Sequence, residues 1–336
     1  MTAVQHRRVV VTRHGGPEVL QIVEEPVPPP GAGQVRVKSE AAGVSAMDLM
    51  IRRAGFPGFP RVPFTPGVDV LGVVDEVGED VSDVEPGQRV AALLGDKGGY
   101  AEYVCVPASE TVTVPEELDA AEGVCLVANY LTAYTMLHRA AEVKTGGRIL
   151  IHGAAGGVGT ALLELGALAG LELYGTASKP NHELVESLGG IPIDYRNEDF
   201  VERIRALTGD GVDAVFDPIG GARQLWRSYR ALRRGGRLIW FGVAATSRSG
   251  LRVIPASLIT RFLLSLIPDG KKAPMPPDSK TPNDWYRQTL ATLFDYLRAG
   301  KINPVIAARI PLLEAERAHQ LLEAGGHRGK VVLMVV

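Results

Sequence analysis

RILIHGAAGGVGTALLELGALAG, residues 148–170, is an apolar run broken by a cluster of small residues and followed by a helical pattern. Ile149, Leu150 and Ile151 suit a strand buried on both faces, and Val158, Leu162, Leu165 and Leu168 recur at helical spacing. The stretch therefore reads as strand, tight turn and helix. Its turn, Ala154-Ala155-Gly156-Gly157-Val158-Gly159, has the form A-x-G-x-x-G, with alanine in place of the first glycine. Small residues there let the backbone approach a pyrophosphate, while the helix start supplies free amides and a favourable dipole. Glycine also serves a tight turn for geometry alone. The strand before and the helix after favour a dinucleotide, which makes Ala155, Gly156, Gly157, Val158 and Gly159 the first expected cofactor contacts.

Beyond about residue 130 strands and helices alternate. Residues 171–177, 191–193, 212–217 and 238–242 read as strands, and 182–188, 200–207 and 223–232 as helices. Repeated strand-helix-strand units imply a parallel, doubly wound sheet that binds ligands at the carboxyl ends of its strands. Three such ends carry small or polar residues: Ser178-Lys179, residues 217–221 and residues 242–245. An acid after the second strand would bond the ribose hydroxyls of NAD, whereas NADP needs room and positive charge for its phosphate. That strand closes Tyr174-Gly175-Thr176-Ala177-Ser178-Lys179, without an acid. Ser178 offers a hydrogen bond and Lys179 a charge-assisted one, with Tyr195 as a further wall for the adenosine end. NADPH is the expected cofactor.

The first hundred or so residues have a different character. Residues 8–12, 19–23, 35–38, 68–77 and 89–94 read as strands, punctuated by glycine and proline, which suggests a small irregular barrel. At 336 residues and 46% hydrophobic composition the chain has room for two domains with sizeable cores. A net charge of −2 gives no reason to expect a nucleic acid or an anionic membrane as partner. The first ten residues lack the apolar run of a secretory signal, and no stretch suits a membrane span, so a cytoplasmic protein is expected. Two cysteines, Cys105 and Cys125, form no disulfide framework and read as buried small hydrophobes.

Several motifs together carry a family resemblance: AAGVSAMDLMIRRAG at 41–55, PFTPGVDVLGVVDEVGEDV at 63–81, GGYAEYVCVP at 98–107, NYLTAYTML at 129–137, HGAAGGVG at 152–159, GTAS at 175–178, DPIGG at 217–221 and RGKVVL at 328–333. The chain resembles the medium-chain dehydrogenase/reductase superfamily and, within it, the zinc-free quinone oxidoreductases. NYLTAY, GTAS followed by His182-Glu183, PIDYRNEDF at 192–200 and DPIGG look most like the branch of vesicle amine transport protein homologues. The resemblance implies an α/β chain in which a doubly wound parallel Rossmann sheet is inserted in a β-rich GroES-like domain. It implies a GroES-like catalytic domain over 1–126, a Rossmann NADPH-binding domain over 127–267, and a segment, 268–336, returning to the first domain. It adds Asn129, Thr132, Ile219, Gly220, Phe241, Gly242, Val243 and Lys330 to the expected cofactor contacts, and a homodimer as the expected assembly.

Zinc-dependent relatives place a cysteine where this chain has Ser45, and a His-Glu pair where it has Val68-Asp69. Serine and valine cannot replace thiolate and imidazole on zinc. The four-cysteine lobe of such relatives is replaced by a short turn at 95–99, so no metal is expected. Without a Lewis acid, hydride is best accepted by a substrate already activated by conjugation, a quinone or an α,β-unsaturated carbonyl. Ser45 stands where the quinone oxidoreductases usually have Asn, and Met50 where they often have Tyr, which makes the expected substrate pocket less polar. Tyr130 is the candidate proton donor or orienting group, against the alternative of a core tyrosine with its hydroxyl satisfied. Asp48 matches a family aspartate but reads better as the cap of a helix over 49–53. Residues 261–284 form an apolar patch followed by a loop, read as a lid, a dimer contact or plain packing; residues 253–255 resemble the edge strand through which relatives pair. The expected function is reduction of a quinone or enone by NADPH, with an enoyl-thioester reductase or a non-catalytic NADPH-binding scaffold or sensor as alternatives.

Overall fold

The computed structural model describes residues 4–54, 61–95, 98–242, 253–281 and 283–335. The chain divides into two compact units, Met1–Leu131 with Lys280–Val336, and Thr132–Ser279. Both borders lie later than the expected 126/127 and 267/268. The first falls within one continuous helical run: α2 (Ala120–Cys125) is followed directly by a wide π-type turn of helix, Leu126–Tyr130, then by α3 (Leu131–Thr135) and a second π-type turn, Met136–Ala141.

Ahead of α2 the elements are β1 (Gln5–Val11), β2 (Leu20–Pro26), β3 (Gln34–Val44), α1 (Ala46–Ala54), β4 (Asp69–Val77), β5 (Arg89–Leu93), β6 (Tyr103–Pro107) and β7 (Thr111–Thr113). After α3 come β8 (Arg148–His152), α4 (Gly157–Leu168), β9 (Glu172–Ala177), α5 (His182–Ser187), β10 (Gly190–Asp194), α6 (Phe200–Thr208), β11 (Val212–Asp217), α7 (Ala222–Ala231), β12 (Leu232–Trp240) and α8 (Val253–Ser265). The chain closes with α9 (Asn283–Arg298), β13 (Ile306–Pro311), α10 (Ala315–Ala324) and β14 (Lys330–Met334).

In the first unit β1 and β2 pair as an antiparallel hairpin, and a seven-stranded sheet runs β13-β14-β3-β4-β5-β7, with β6 also on β3. Alternation decides the faces of β3: Val35 and Val37 point into a core with Val70, Val74, Val90, Val104 and Val106. Farther along the same strand Ala42 and Val44 meet Tyr100, Ile310 and Leu333 in a second core, which ties the carboxyl-terminal strands to the amino-terminal ones.

The second unit is a five-stranded sheet, β10-β9-β8-β11-β12, parallel throughout. Its central strands bury both faces, as their unbroken apolar runs require: Ile149, Leu150, Ile151, Val215 and Phe216 are fully buried. The strand expected over 238–242 starts earlier, because α7 stops at Ala231 and β12 begins at Leu232.

Residues 253–255 are not an edge strand. Val253 opens α8, where Pro255 is tolerated because first-turn amides have no intrahelical acceptor, and the Ser257 hydroxyl donates to the Val253 carbonyl at 2.7 Å. Val253, Ser257 and Leu264 are buried, Leu264 in the core with Leu238 and Trp240, whereas Ile259, Phe262, Leu263 and Leu266 are exposed. Cys125 is buried as expected, but Cys105 is only half-buried. Among the described residues no helix is long and apolar enough to cross a membrane.

Candidate functional site

The second unit contains a built cradle where the strand order reverses. β8 has β9 on one side and β11 on the other, so the loops after these strands diverge and leave room at their carboxyl ends. After β8, Gly153 takes a φ of 65°, the Ala154 amide donates to the Thr176 carbonyl at 3.1 Å, and the Gly156 amide donates to the Gly153 carbonyl at 2.9 Å. α4 starts after Gly156 with no side-chain cap, which leaves the amides of Gly157, Val158 and Gly159 for a ligand. Gly159 is packed against the turn itself: a Cβ there would overlap the Gly153 carbonyl oxygen and lie 2.8 Å from the carbonyl carbon of Ala154. Alanine at the first fingerprint position is accommodated from β9, since a Cβ on Gly175 would lie 2.7 Å from the Ala154 Cβ. Ala155 is buried, and Gly156, Gly157 and Val158 are half-buried.

Ser178 is half-buried and Lys179 exposed beyond the end of β9. Asp194 pairs with Ala177 at the neighbouring strand end, but its carboxylate accepts from Asn197 Nδ2 at 2.8 Å and from the Arg196 amide at 3.1 Å, bonds that lower its pKa. That acid is committed to its own turn. Tyr195 is half-exposed, and the Arg196 guanidinium lies 5.8 Å from its ring centroid. Arg196, two residues past β10 as Lys179 is two past β9, is a second cation at this end that the sequence reading did not single out.

On the other side of β8, Asp217 accepts from the amides of Ile219 and Gly220 at 2.8 and 3.0 Å, with Gly220 at φ 74°. The Phe241 amide donates to the Asp217 carbonyl at 3.1 Å, and a Cβ on Gly242 would lie 2.7 Å from the Pro218 carbonyl oxygen. The loops after β11 and β12 are therefore in backbone contact. Thr132 is half-buried in this unit, and Val243 lies outside the described residues.

The other expected site residues belong to the first unit. Ser45, not Asp48, is the cap of α1: the Ser45 hydroxyl accepts from the Asp48 amide at 3.2 Å and donates to Asp48 Oδ2 at 2.7 Å. Asp48, three positions on, accepts from the Ser45 amide at 2.8 Å, which completes a capping box. Its other oxygen takes the Gly67 amide at 2.9 Å. The Tyr100 hydroxyl donates to Asp48 at 3.4 Å and faces His319 Nε2 at 3.1 Å, and His319 Nδ1 accepts from Arg52 at 2.9 Å. Met50 is half-buried on the same helix. Lys330 is buried with its Nζ 3.1 Å from Asp69 and 3.4 Å from the Asn129 amide oxygen; Asp69 also accepts from the Gly43 amide at 2.7 Å. Asn129 and Tyr130 close the π-type turn Leu126–Tyr130, a distortion often found where helices serve a site, and Tyr130 is buried.

His319 makes this cluster acid-sensitive. Burial, then the Arg52 guanidinium, lower its pKa to about 3. Below about pH 6.5 the unfolded chain protonates this ring while the folded one does not, so stability falls as pH drops from about 6.5 toward 3. The expected contribution is a loss of about 1.4 kcal/mol per pH unit in that window. Urea midpoints of wild type and His319→Gln across the window check it; parallel pH slopes would refute the assignment.

Sheet order, glycine turn and carboxyl-end loops define a dinucleotide-binding dehydrogenase or reductase of the two-domain kind. Residues 31–116 match the family model of the alcohol dehydrogenase GroES-like domain, and residues 190–333 that of the zinc-binding dehydrogenases. Rattus norvegicus quinone oxidoreductase is 31% identical over 334 residues, 98% of each chain. The synaptic vesicle membrane protein VAT-1 homolog of Danio rerio is 32% identical over 343 residues, 98% of this chain and 70% of that one. Among solved structures, Escherichia coli quinone oxidoreductase complexed with NADPH superposes with a TM-score of 0.87 at 28% identity, covering 98% of this chain and 99% of that one. The chain belongs to the quinone oxidoreductase family of the medium-chain dehydrogenases/reductases. The matched zinc-binding dehydrogenase region, 190–333, includes neither Ser45 nor Val68-Asp69.

Proposed function

We propose that this protein is an NADPH-dependent reductase of quinones or α,β-unsaturated carbonyls that works without a metal. The carrying observation is the uncapped start of α4, held against Gly153 by Gly159, beside a β9 end that offers Lys179 and no free carboxylate. The first-turn amides of α4 suit a pyrophosphate, and Ser178, Lys179 and Arg196 suit a 2′-phosphate. Ile219, Gly220, Phe241 and Gly242 would line the remaining length, with bare backbone at the two glycines and apolar side chains at Ile219 and Phe241. The NADPH-bound Escherichia coli relative supports this fit. When bound, NADPH supplies a hydride from its nicotinamide ring.

Zinc does not fit the residues that stand at its ligand positions. The Ser45 hydroxyl is used by the capping box, Val68 has no donor atom, and the Asp69 carboxylate is ion-paired to Lys330 and bonded to the Gly43 amide. An acceptor already conjugated needs no Lewis acid, because its own π-system spreads the developing charge. What remains for the protein is to bind, orient and exclude water. We assign substrate contact to Ser45, Met50 and Tyr130, with Tyr130 as proton donor or orienting group. The Ser45 hydroxyl donates to Asp48 and accepts the Asp48 amide, which leaves its oxygen one lone pair to present.

Purified protein is expected to oxidise NADPH with quinones or enones at a rate unchanged by a zinc chelator. No turnover across both panels would overturn the catalytic reading; turnover with enoyl-thioesters alone would move it to that substrate class. Lys179→Glu is expected to lower the NADPH over NADH preference by roughly tenfold to a hundredfold, the scale of a charged hydrogen bond lost and a repulsion gained. An unchanged ratio of kcat/KM values would remove Lys179 from the phosphate site.

A further inference from the structure

Beneath the cradle lies a buried polar chain to which the expected cofactor contacts do not assign a role. His152, Thr176, Ser228 and Asp217 are each at most 2% exposed. They come from the ends of β8, β9 and β11 and from the inner face of α7. The Gly153 amide donates to Thr176 Oγ1 at 3.3 Å, and Thr176 Oγ1 lies 3.0 Å from His152 Nδ1. His152 Nε2 lies 3.1 Å from Ser228 Oγ, whose hydroxyl donates to Asp217 Oδ2 at 2.7 Å. Gln224 Nε2 donates to the same carboxylate oxygen at 3.2 Å, and Asp217 Oδ1 takes the amides of Ile219 and Gly220.

The two ends of this chain fix every proton in it. A carboxylate only accepts, so the single Ser228 proton goes to Asp217, and Ser228 Oγ must accept from His152 Nε2–H. His152 Nδ1 is then bare and accepts the Thr176 proton, which leaves the Thr176 oxygen to accept the Gly153 amide. Burial lowers the His152 pKa against the pull of Asp217, and Arg227 lowers it further, so the neutral ring that this pattern needs is the stable one. The ring is also pinned by packing on Phe200, with centroids 4.6 Å apart, and the Arg227 guanidinium covers the other ring of that pair at 4.4 Å.

We propose that Thr176, His152, Ser228 and Asp217 are positioning residues, a one-way hydrogen-bond relay that couples the turn at 153–156 to the turn at 218–221. One turn presents the pyrophosphate amides and the other walls the opposite side of the same cradle, so a relay between them sets the cradle's width before any ligand arrives. The proposal deepens the NADPH reading and rests on it for its consequence in binding. The relay itself is a property of the empty protein. Breaking it at one end loosens the far turn, which no local packing role would do.

The test is amide hydrogen exchange on the cofactor-free protein, followed by NADPH titration. Thr176→Val, isosteric and without the hydroxyl, is expected to speed exchange at Ile219 and Gly220, on the far turn, about tenfold, the scale of one buried hydrogen bond. Ser228→Ala is expected to speed exchange at Gly153 to a similar extent, and Thr176→Ser, which keeps the hydroxyl, to restore wild-type exchange. NADPH Kd rises about tenfold in Thr176→Val and Ser228→Ala, while kcat at saturating NADPH stays within about twofold. Exchange that rises only next to each substitution, with the far turn unchanged, would overturn the relay. Should Ser228→Ala fail to fold, Thr176→Val and Thr176→Ser decide alone. Coupled exchange in a wild-type protein that ignores NADPH would leave the relay standing and overturn the cofactor reading.

Discussion

Arg52→Met is expected to destabilise the first unit by about 3 kcal/mol or more, within the range of about 3 to 5 kcal/mol typical when one partner of a buried ion pair is removed. Arg52 is fully buried in the last turn of α1, yet every side of its guanidinium is used. It pairs with Glu323, donates to His319 Nδ1 at 2.9 Å and donates to the Gly15 carbonyl at 3.2 Å. Methionine replaces the stem with a flexible apolar chain of similar reach, so the loss reports the head group and not a cavity. Arg53 also reaches Glu323, at 3.1 Å, and keeps that carboxylate partly paired, which places the cost at the lower end. His319 and the Gly15 carbonyl are left without their donor. Urea unfolding followed by a probe in the first unit measures the loss. A cost below about 1 kcal/mol would show that a hydrophobe of equal size serves as well, as replaced buried ion pairs sometimes do. The same change is expected to raise the substrate KM more than the NADPH Kd, because α1 carries Ser45 and Met50 while the cradle lies in the other unit.

The cradle was legible because its signals are local. A strand, an alanine and two glycines at fixed spacing and a helix lie within one stretch, and the parallel sheet follows from apolar runs that have no polar face to expose. The absence of a free acid beyond β9 was equally readable. What stayed hidden depends on partners distant in sequence. Asp48 looked like a cap because a carboxylate before an apolar helical run usually is one, but Ser45 takes that role and Asp48, three positions on, completes the capping box and also serves Gly67 and Tyr100. Arg52 and His319 are 267 positions apart, and nothing in either neighbourhood announces the pair.

Residues 253–255 misled for a related reason. Val-Ile-Pro has the composition of an edge strand, and only Ser257 and the leucines beyond it show that the pattern is helical. The relay offers the opposite lesson, since His152, Thr176 and Asp217 all interrupt apolar strands at or beside their carboxyl ends. Polar residues at such ends read singly as turn chemistry. Aligned in one parallel sheet they form a set, with Ser228 supplied by a helix that sequence spacing could not dock.

Gly159→Ala is expected to weaken NADPH binding at least about a hundredfold, equivalent to about 2.7 kcal/mol. Gly159 lies in the first turn of α4, so intrinsic propensity alone would favour alanine there by about 1 kcal/mol. Packing reverses that sign. The added methyl would overlap the Gly153 carbonyl oxygen and lie 2.8 Å from both Ala154 Cα and its carbonyl carbon, all backbone atoms that cannot rotate away. Either α4 moves off the sheet or the turn opens, and both displace the amides of Gly157 and Val158 from the position a pyrophosphate needs. Two further alanines separate this from general damage to the helix. Gly156→Ala meets only the Gly153 carbonyl oxygen within the protein, at 3.3 Å, so it is expected to leave stability near wild type and to weaken NADPH binding solely through the methyl set against the pyrophosphate. Gly166→Ala, in the same helix, meets the end of the Leu173 side chain at 2.7 Å and is expected to change stability while leaving affinity alone. Calorimetric titration of the three variants decides: if Gly159→Ala binds NADPH as Gly166→Ala does, close approach at the fingerprint's last glycine is not what shapes the cradle.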